Sequence, residues 1–100
     1  RFTLVATPGS EPITSINSGH SWSATPGSGD VLAGVMGAWL ARYAALGRPL
    51  HEAAIIAVHL CADAAWLAAQ TPYGPAPTSA SPIAAHVQDA TARLTATTRR

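Results

Sequence analysis

Apolar and polar positions fall into three regimes along the chain. From Phe2 to Ile16, β-type residues form two short runs, Phe2-Thr3-Leu4-Val5 and Ile13-Thr14-Ser15-Ile16. Between them lies Thr7-Pro8-Gly9-Ser10-Glu11-Pro12, dense in turn residues. Two such runs about such a turn predict a β-hairpin over residues 1–17. Pro12 has no N–H to donate, which places it at the start of the second strand or on an edge. Residues 18–30 then read as a Ser- and Gly-rich loop that launches a helix at Val31-Leu32-Ala33-Gly34-Val35.

The rest, residues 31–95, is helical by its spacing. Val31, Leu32, Val35, Met36, Trp39, Leu40, Tyr43 and Leu46 recur with a helix period, and Gly47 fits the stop. Pro49 suits a first helical position, and an Ala-rich run follows to Gln70 before Thr71-Pro72-Tyr73-Gly74-Pro75 breaks it. That second helix is apolar nearly all round, so it is expected between layers. Ser81-Pro82 gives a cap and a first-turn proline to a third helix striped by Ile83, Val87, Ala90 and Leu94. The tail after Thr95 is expected to fray.

Composition narrows the class. Of 100 residues, 48% are hydrophobic and 11% charged, with a net charge of +1; Ala fills 22 positions and all six basic residues are Arg. A disordered tail would need less hydrophobicity and more charge. A nucleic-acid binder driven by electrostatics would carry a basic stripe. One cysteine, Cys61, rules out an intrachain disulfide framework and a Cys-rich zinc fold. The apolar stretch Ala53–Ala69 is interrupted by His59 and Asp63 and is expected to fall short of a membrane span. The chain opens at Arg1 with no Met and no signal-peptide pattern, and reads as a piece of a larger cytoplasmic protein, expected to work as a homo-oligomer.

Gly27-Ser28-Gly29-Asp30 is the stretch richest in chemistry. Glycines let backbone approach a ligand closely, and a helix's first turn offers unpaired N–H groups and a positive dipole end to a phosphate. A carboxylate in that turn is oriented to act as a base beside a transferring phosphoryl group. Taken alone, the same four residues also describe an ordinary helix start in which Asp30 only complements the dipole.

The flanking residues add a resemblance. Ala24-Thr25-Pro26-Gly27-Ser28-Gly29-Asp30-Val31-Leu32-Ala33-Gly34 resembles the signature helix start of ribokinase-like kinases. More narrowly it is similar to the ADP/ATP-dependent NAD(P)H-hydrate dehydratases, which repair damaged nicotinamide cofactors. Ser18 and Gly19 stand where that branch has Thr-Gly, and His20-Ser21 replaces Asn-Pro. Ser23 replaces a Leu or Met, and Pro26 a small Ala or Gly. The resemblance covers nearly the whole chain but only the last third or so of the family's domain.

What it implies is an α/β fold, with this chain as the C-terminal portion of a ribokinase-like three-layer domain seen as a β-hairpin followed by three helices. Asp30 matches the family's catalytic, substrate-contacting aspartate. Gly29 matches a nucleotide-contacting glycine, and Gly27 and Ser28 share its anion-binding turn. The implied partners are hydrated NADH or NADPH, ADP or ATP with Mg²⁺ on its phosphates, and upstream parts of the same domain. The implied reaction is dehydration through phosphorylation of the hydroxyl. The 100-residue piece alone is expected to be inactive.

Other readings stand beside this one. A small-molecule kinase for a sugar or vitamin-precursor alcohol shares the Gly-x-Gly-Asp start, and a non-catalytic helical module would bind a partner through apolar faces. His59 and Asp63, one helical turn apart, read as a polar pair between packed layers rather than as metal ligands, since a third ligand is missing. Cys61 reads as a small buried hydrophobe. His20 either faces solvent or meets a ligand; Trp22 either stacks on a ligand ring or pins the loop to the core. Trp39, Tyr43 and Trp66 read as helix packing, and Arg42 and Arg48 as complements to a helix C-terminus.

Overall fold

Alternation along the two β-rich runs produces the antiparallel hairpin of strands β1 (Phe2–Val5) and β2 (Thr14–Asn17). The computed structural model describes residues 1–9 and 12–98. Ser10 and Glu11, in the middle of the expected turn, and the final Arg99 and Arg100 lie outside the described residues. The register pairs Thr3 with Ile16 and Val5 with Thr14, which puts these four on one face. Val5 and Ile16 on that face are buried, whereas Phe2, Leu4 and Ile13 are each more than 60% exposed. The hairpin therefore has a packed face and an apolar face with nothing on it.

Three helices follow: α1 (Ser28–Ala45), α2 (Leu50–Ala69) and α3 (Ala80–Thr98). α1 starts three residues before the expected Val31, because Gly27 itself takes the N-cap place in a left-handed conformation, φ 87°. Its end is a Schellman motif: Arg48 N–H donates to Tyr43 O and Gly47 N–H to Ala44 O. α2 starts after Pro49, whose extended ψ of 124° makes it the cap rather than the first helical residue. α3 also begins early, with the Ser79 carbonyl accepting from Ile83 N–H. Pro82 still falls in the first turn, where an N–H has no helical acceptor to lose. The frayed end expected after Thr95 is helical to Thr98, with Thr91 and Thr95 hydroxyls donating back to Val87 O and Thr91 O.

α2 lies at the centre, as its composition requires. One side, Ala54 and Val58, packs on Val5 and Ile16 of the hairpin. Another side, Leu60, Ala64 and Ala65, packs on Ile83 and Ala90 of α3. Ala53, Ala57, Ala64 and Ala65 are fully buried, so neighbouring helices approach the α2 backbone closely. Leu60 and Ile83 are the largest fully buried side chains, each worth roughly 1.5–3 kcal/mol of apolar burial. α2 is 20 residues long with a mean hydropathy of 1.5, long and apolar enough to cross a membrane, which corrects the expectation from Ala53–Ala69 alone. Here that apolarity is spent inside the fold, where nine of its residues are buried.

Candidate active site at the start of the first long helix

The loop after β2 is held by local bonds before it reaches the helix. Ser18 N–H donates to Arg1 O (2.9 Å), and the Arg1 guanidinium donates to Gly19 O (2.7 Å). Ser18 Oγ donates to His20 O (2.6 Å), and Trp22 N–H to His20 Nδ1 (3.3 Å). His20 is thus half-buried and engaged, not simply facing solvent. Trp22 packs against the cluster around Leu60 and Ile83, so it pins the loop to the core, and it also lines an open concavity beside the loop. Further along, Thr25 Oγ1 donates to Thr78 O (3.3 Å), tying the loop to the α2–α3 linker.

At the helix start, Gly27 O accepts from both Asp30 N–H (3.2 Å) and Val31 N–H (3.3 Å), and Ser28 N–H donates to Thr25 O. The Gly29 N–H has no partner among the described residues. It points from the positive end of an 18-residue helix, the arrangement that favours an oxyanion. Ser28 and Gly29 line a cavity of about 220 Å³, with Thr3 and Ile16 of the hairpin on one side and Val58 and Cys61 of α2 on the other. A second concavity of about 420 Å³ opens between Trp22–Thr25 and Pro77-Thr78. The two share Arg1, His20, Ser21 and Ala24. Arg1 was not legible as part of this site, because its contact with Gly19 depends on the hairpin closing.

Asp30 sits in the first turn of α1, as expected. Its side chain is exposed, makes no hydrogen bond with the described residues, and is not among those lining the cavity bordered by Ser28 and Gly29. The structure therefore brings Ser28 and Gly29 together with Arg1 and His20 around one cavity, whose lining includes neither Gly27 nor Asp30. Among the described residues no three His, Cys, Asp or Glu side chains converge on one point.

The remaining candidates separate by helical face. His59, Asp63, Trp66 and Gln70 follow one another at i, i+4, i+7 and i+11 on α2 and are all exposed. His59 and Asp63 therefore lie on a surface stripe, not between layers, and Trp66 (44% exposed) is not a packing residue here. Trp39 and Tyr43 do pack, edge to face at 6.1 Å. Arg42 and Arg48 lie over the Trp39 and Tyr43 rings at the end of α1. Cys61 is buried, and desolvation pushes its thiol from 9.0 up to about 11.

The carbohydrate-kinase family model described as NAD(P)H-hydrate dehydratase matches residues 1–86. The bifunctional NAD(P)H-hydrate repair enzyme Nnr of Corynebacterium glutamicum is 45% identical over 108 residues, covering 94% of this chain and 18% of that protein. Enzymes of the same name from Mycobacterium leprae (46%) and Mycobacterium tuberculosis (47%) match over 93 residues, 92% of this chain and 19% of theirs. The chain thus spans about a fifth of the length of these relatives. No solved structure matches it. With the family model running from the hairpin through the glycine-rich helix start and into α3, the chain belongs to the NAD(P)H-hydrate dehydratase family.

Proposed function

We propose that this chain supplies the nucleotide-binding helix start of an ADP- or ATP-dependent NAD(P)H-hydrate dehydratase, as the C-terminal portion of a ribokinase-like three-layer domain. The observation that carries the proposal is the helix start itself. Ser28 and Gly29 line a cavity together with Arg1, and the Gly29 N–H has no partner among the described residues. That combination suits the terminal phosphate of a nucleotide. The uncovered Phe2, Leu4 and Ile13 support the three-layer reading, since an apolar sheet face is ordinarily packed.

In this reading the hydroxyl of the hydrated nicotinamide ring attacks the nucleotide's terminal phosphoryl group, and Asp30 accepts the hydroxyl proton. Amides of Gly27 to Gly29 stabilise charge on the phosphoryl oxygens. The ring nitrogen's lone pair then expels phosphate, and loss of a proton from the neighbouring carbon restores the dihydronicotinamide. Hydroxide is a poor leaving group and phosphate a good one, which is why a nucleotide is needed. Asp30 is exposed and follows Gly29 directly in the first turn of α1, which leaves its carboxylate accessible to a substrate. Mg²⁺ would be carried mainly on the nucleotide's phosphate oxygens and water, and no step is assigned to it.

The test incubates the full-length protein carrying this chain with hydrated NADH and ADP or ATP. Return of dihydronicotinamide absorbance is expected. No recovery, together with phosphorylation of a sugar or vitamin-precursor alcohol, would replace the dehydratase with a small-molecule kinase.

A further inference from the structure

His51 joins segments that are far apart in sequence. Its Nδ1 lies 2.7 Å from Thr7 Oγ1 and its Nε2 2.8 Å from Thr14 Oγ1. From the first turn of α2 the ring therefore grips both sides of the hairpin's turn. A neutral imidazole donates through one nitrogen and accepts through the other, and a hydroxyl can do either, so both bonds form in either tautomer. The hairpin also meets α2 through an apolar cluster, Val5 and Ile16 on Ala54 and Val58, and such contacts are non-directional. The His51 bonds are directional. They fix where the hairpin sits along α2.

That position matters because the 220 Å³ cavity has one wall on each partner: Thr3 and Ile16 on the hairpin, Val58 and Cys61 on α2. Val58 lies two turns beyond His51, about 10 Å along the same rigid helix. The far end of the hairpin is tied to the site loop through Arg1 and Gly19. A slip of the hairpin on α2 would therefore change the cavity's width and drag Ser18–His20 with it.

We infer that His51, held by Thr7 and Thr14, is a positioning residue for the nucleotide site: it sets the gap between hairpin and α2 into which the phosphate end of the nucleotide fits. This rests on the reading of that cavity given above. α1, which carries Asp30, has no hydrogen bond to this clasp among those described, so binding should change more than turnover.

The experiment uses the full-length protein with His51→Ala, His51→Gln and the milder, nearly isosteric Thr14→Val. Steady-state kinetics and ADP titration are combined with amide hydrogen exchange. Loss of one or two net hydrogen bonds predicts a rise of about three- to tenfold in the Kd for ADP and in KM, with kcat changed by less than about twofold. The Gln carboxamide, which also offers a donor and an acceptor, is expected to restore part of the affinity. Exchange should quicken at residues 16–24 as well as in the hairpin turn, and stay unchanged in α3. Variants that lose thermal stability but keep wild-type ADP affinity and wild-type exchange at 16–24 would overturn the inference. If exchange spreads to 16–24 but the wild-type protein binds no ADP, the clasp stands and the nucleotide reading fails instead.

Discussion

Replacing Gly27 with alanine perturbs the helix start in two ways that a second variant separates. Gly27 has φ +87°, a conformation that costs an L-residue about 1–2 kcal/mol. A Cβ there would also stand 3.0 Å from the Ala80 Cβ at the start of α3. Ala80's own Cβ cannot rotate away, so backbone must give, and overpacking of this kind costs about 1–3 kcal/mol. Gly19, with φ +79° and nothing within 4 Å of its would-be Cβ, carries the first cost alone. The expected losses are therefore about 1–2 kcal/mol for Gly19→Ala and about 2–5 kcal/mol for Gly27→Ala. Urea unfolding of both variants measures them; at slopes of about 1–3 kcal/mol/M the difference should be a resolvable shift in midpoint. Equal losses would refute the reasoning, because the loop would then not be braced against α3.

Three further outcomes follow from the packing. Ala57→Leu, at a fully buried position on α2, should destabilise by about 1–3 kcal/mol or more in the same urea experiment, since a larger side chain must displace its neighbours. Trp22→Ala should cost about 2–3 kcal/mol, somewhat less than a fully buried aromatic, and should loosen residues 20–25 in hydrogen exchange. For Cys61 the folded thiol stays protonated to about 11 while the unfolded one ionises near 9.0. Its stabilising contribution is complete below pH 9 and is lost as pH rises through about 11; stability measured across that window should fall less steeply in Cys61→Ala.

The sequence pattern was a good guide wherever a local rule decides structure. The all-round apolarity of α2 demanded burial on several sides, and it is packed on the hairpin and on α3. The Gly47 stop and the hairpin itself follow from local chemistry in the same way, although the second strand runs one residue later than Ile13–Ile16. Helix starts were misplaced by one to three residues, because Gly27, Pro49 and Ser79 act as caps through backbone geometry that composition does not encode. The surface stripe of His59, Asp63 and Trp66 was present in the i, i+4, i+7 spacing, yet apolar neighbours masked it. His51 and Arg1 were illegible. Their partners lie 18 to 44 residues away, and only the closed fold brings them together. Of the site, Gly27 to Asp30 was readable from the motif, but the cavity beside it is built by residues from both strands and all three helices.

The central claim is tested most directly by comparing the full-length protein with its Asp30→Asn variant in one assay, hydrated NADH with saturating nucleotide. Asn keeps the size and the helix position, and the side chain it replaces is exposed and unbonded among the described residues, so folding and ADP affinity should persist. Turnover should drop by about 10²–10⁴. Undiminished turnover in Asp30→Asn would contradict the account and remove this carboxylate from the chemistry.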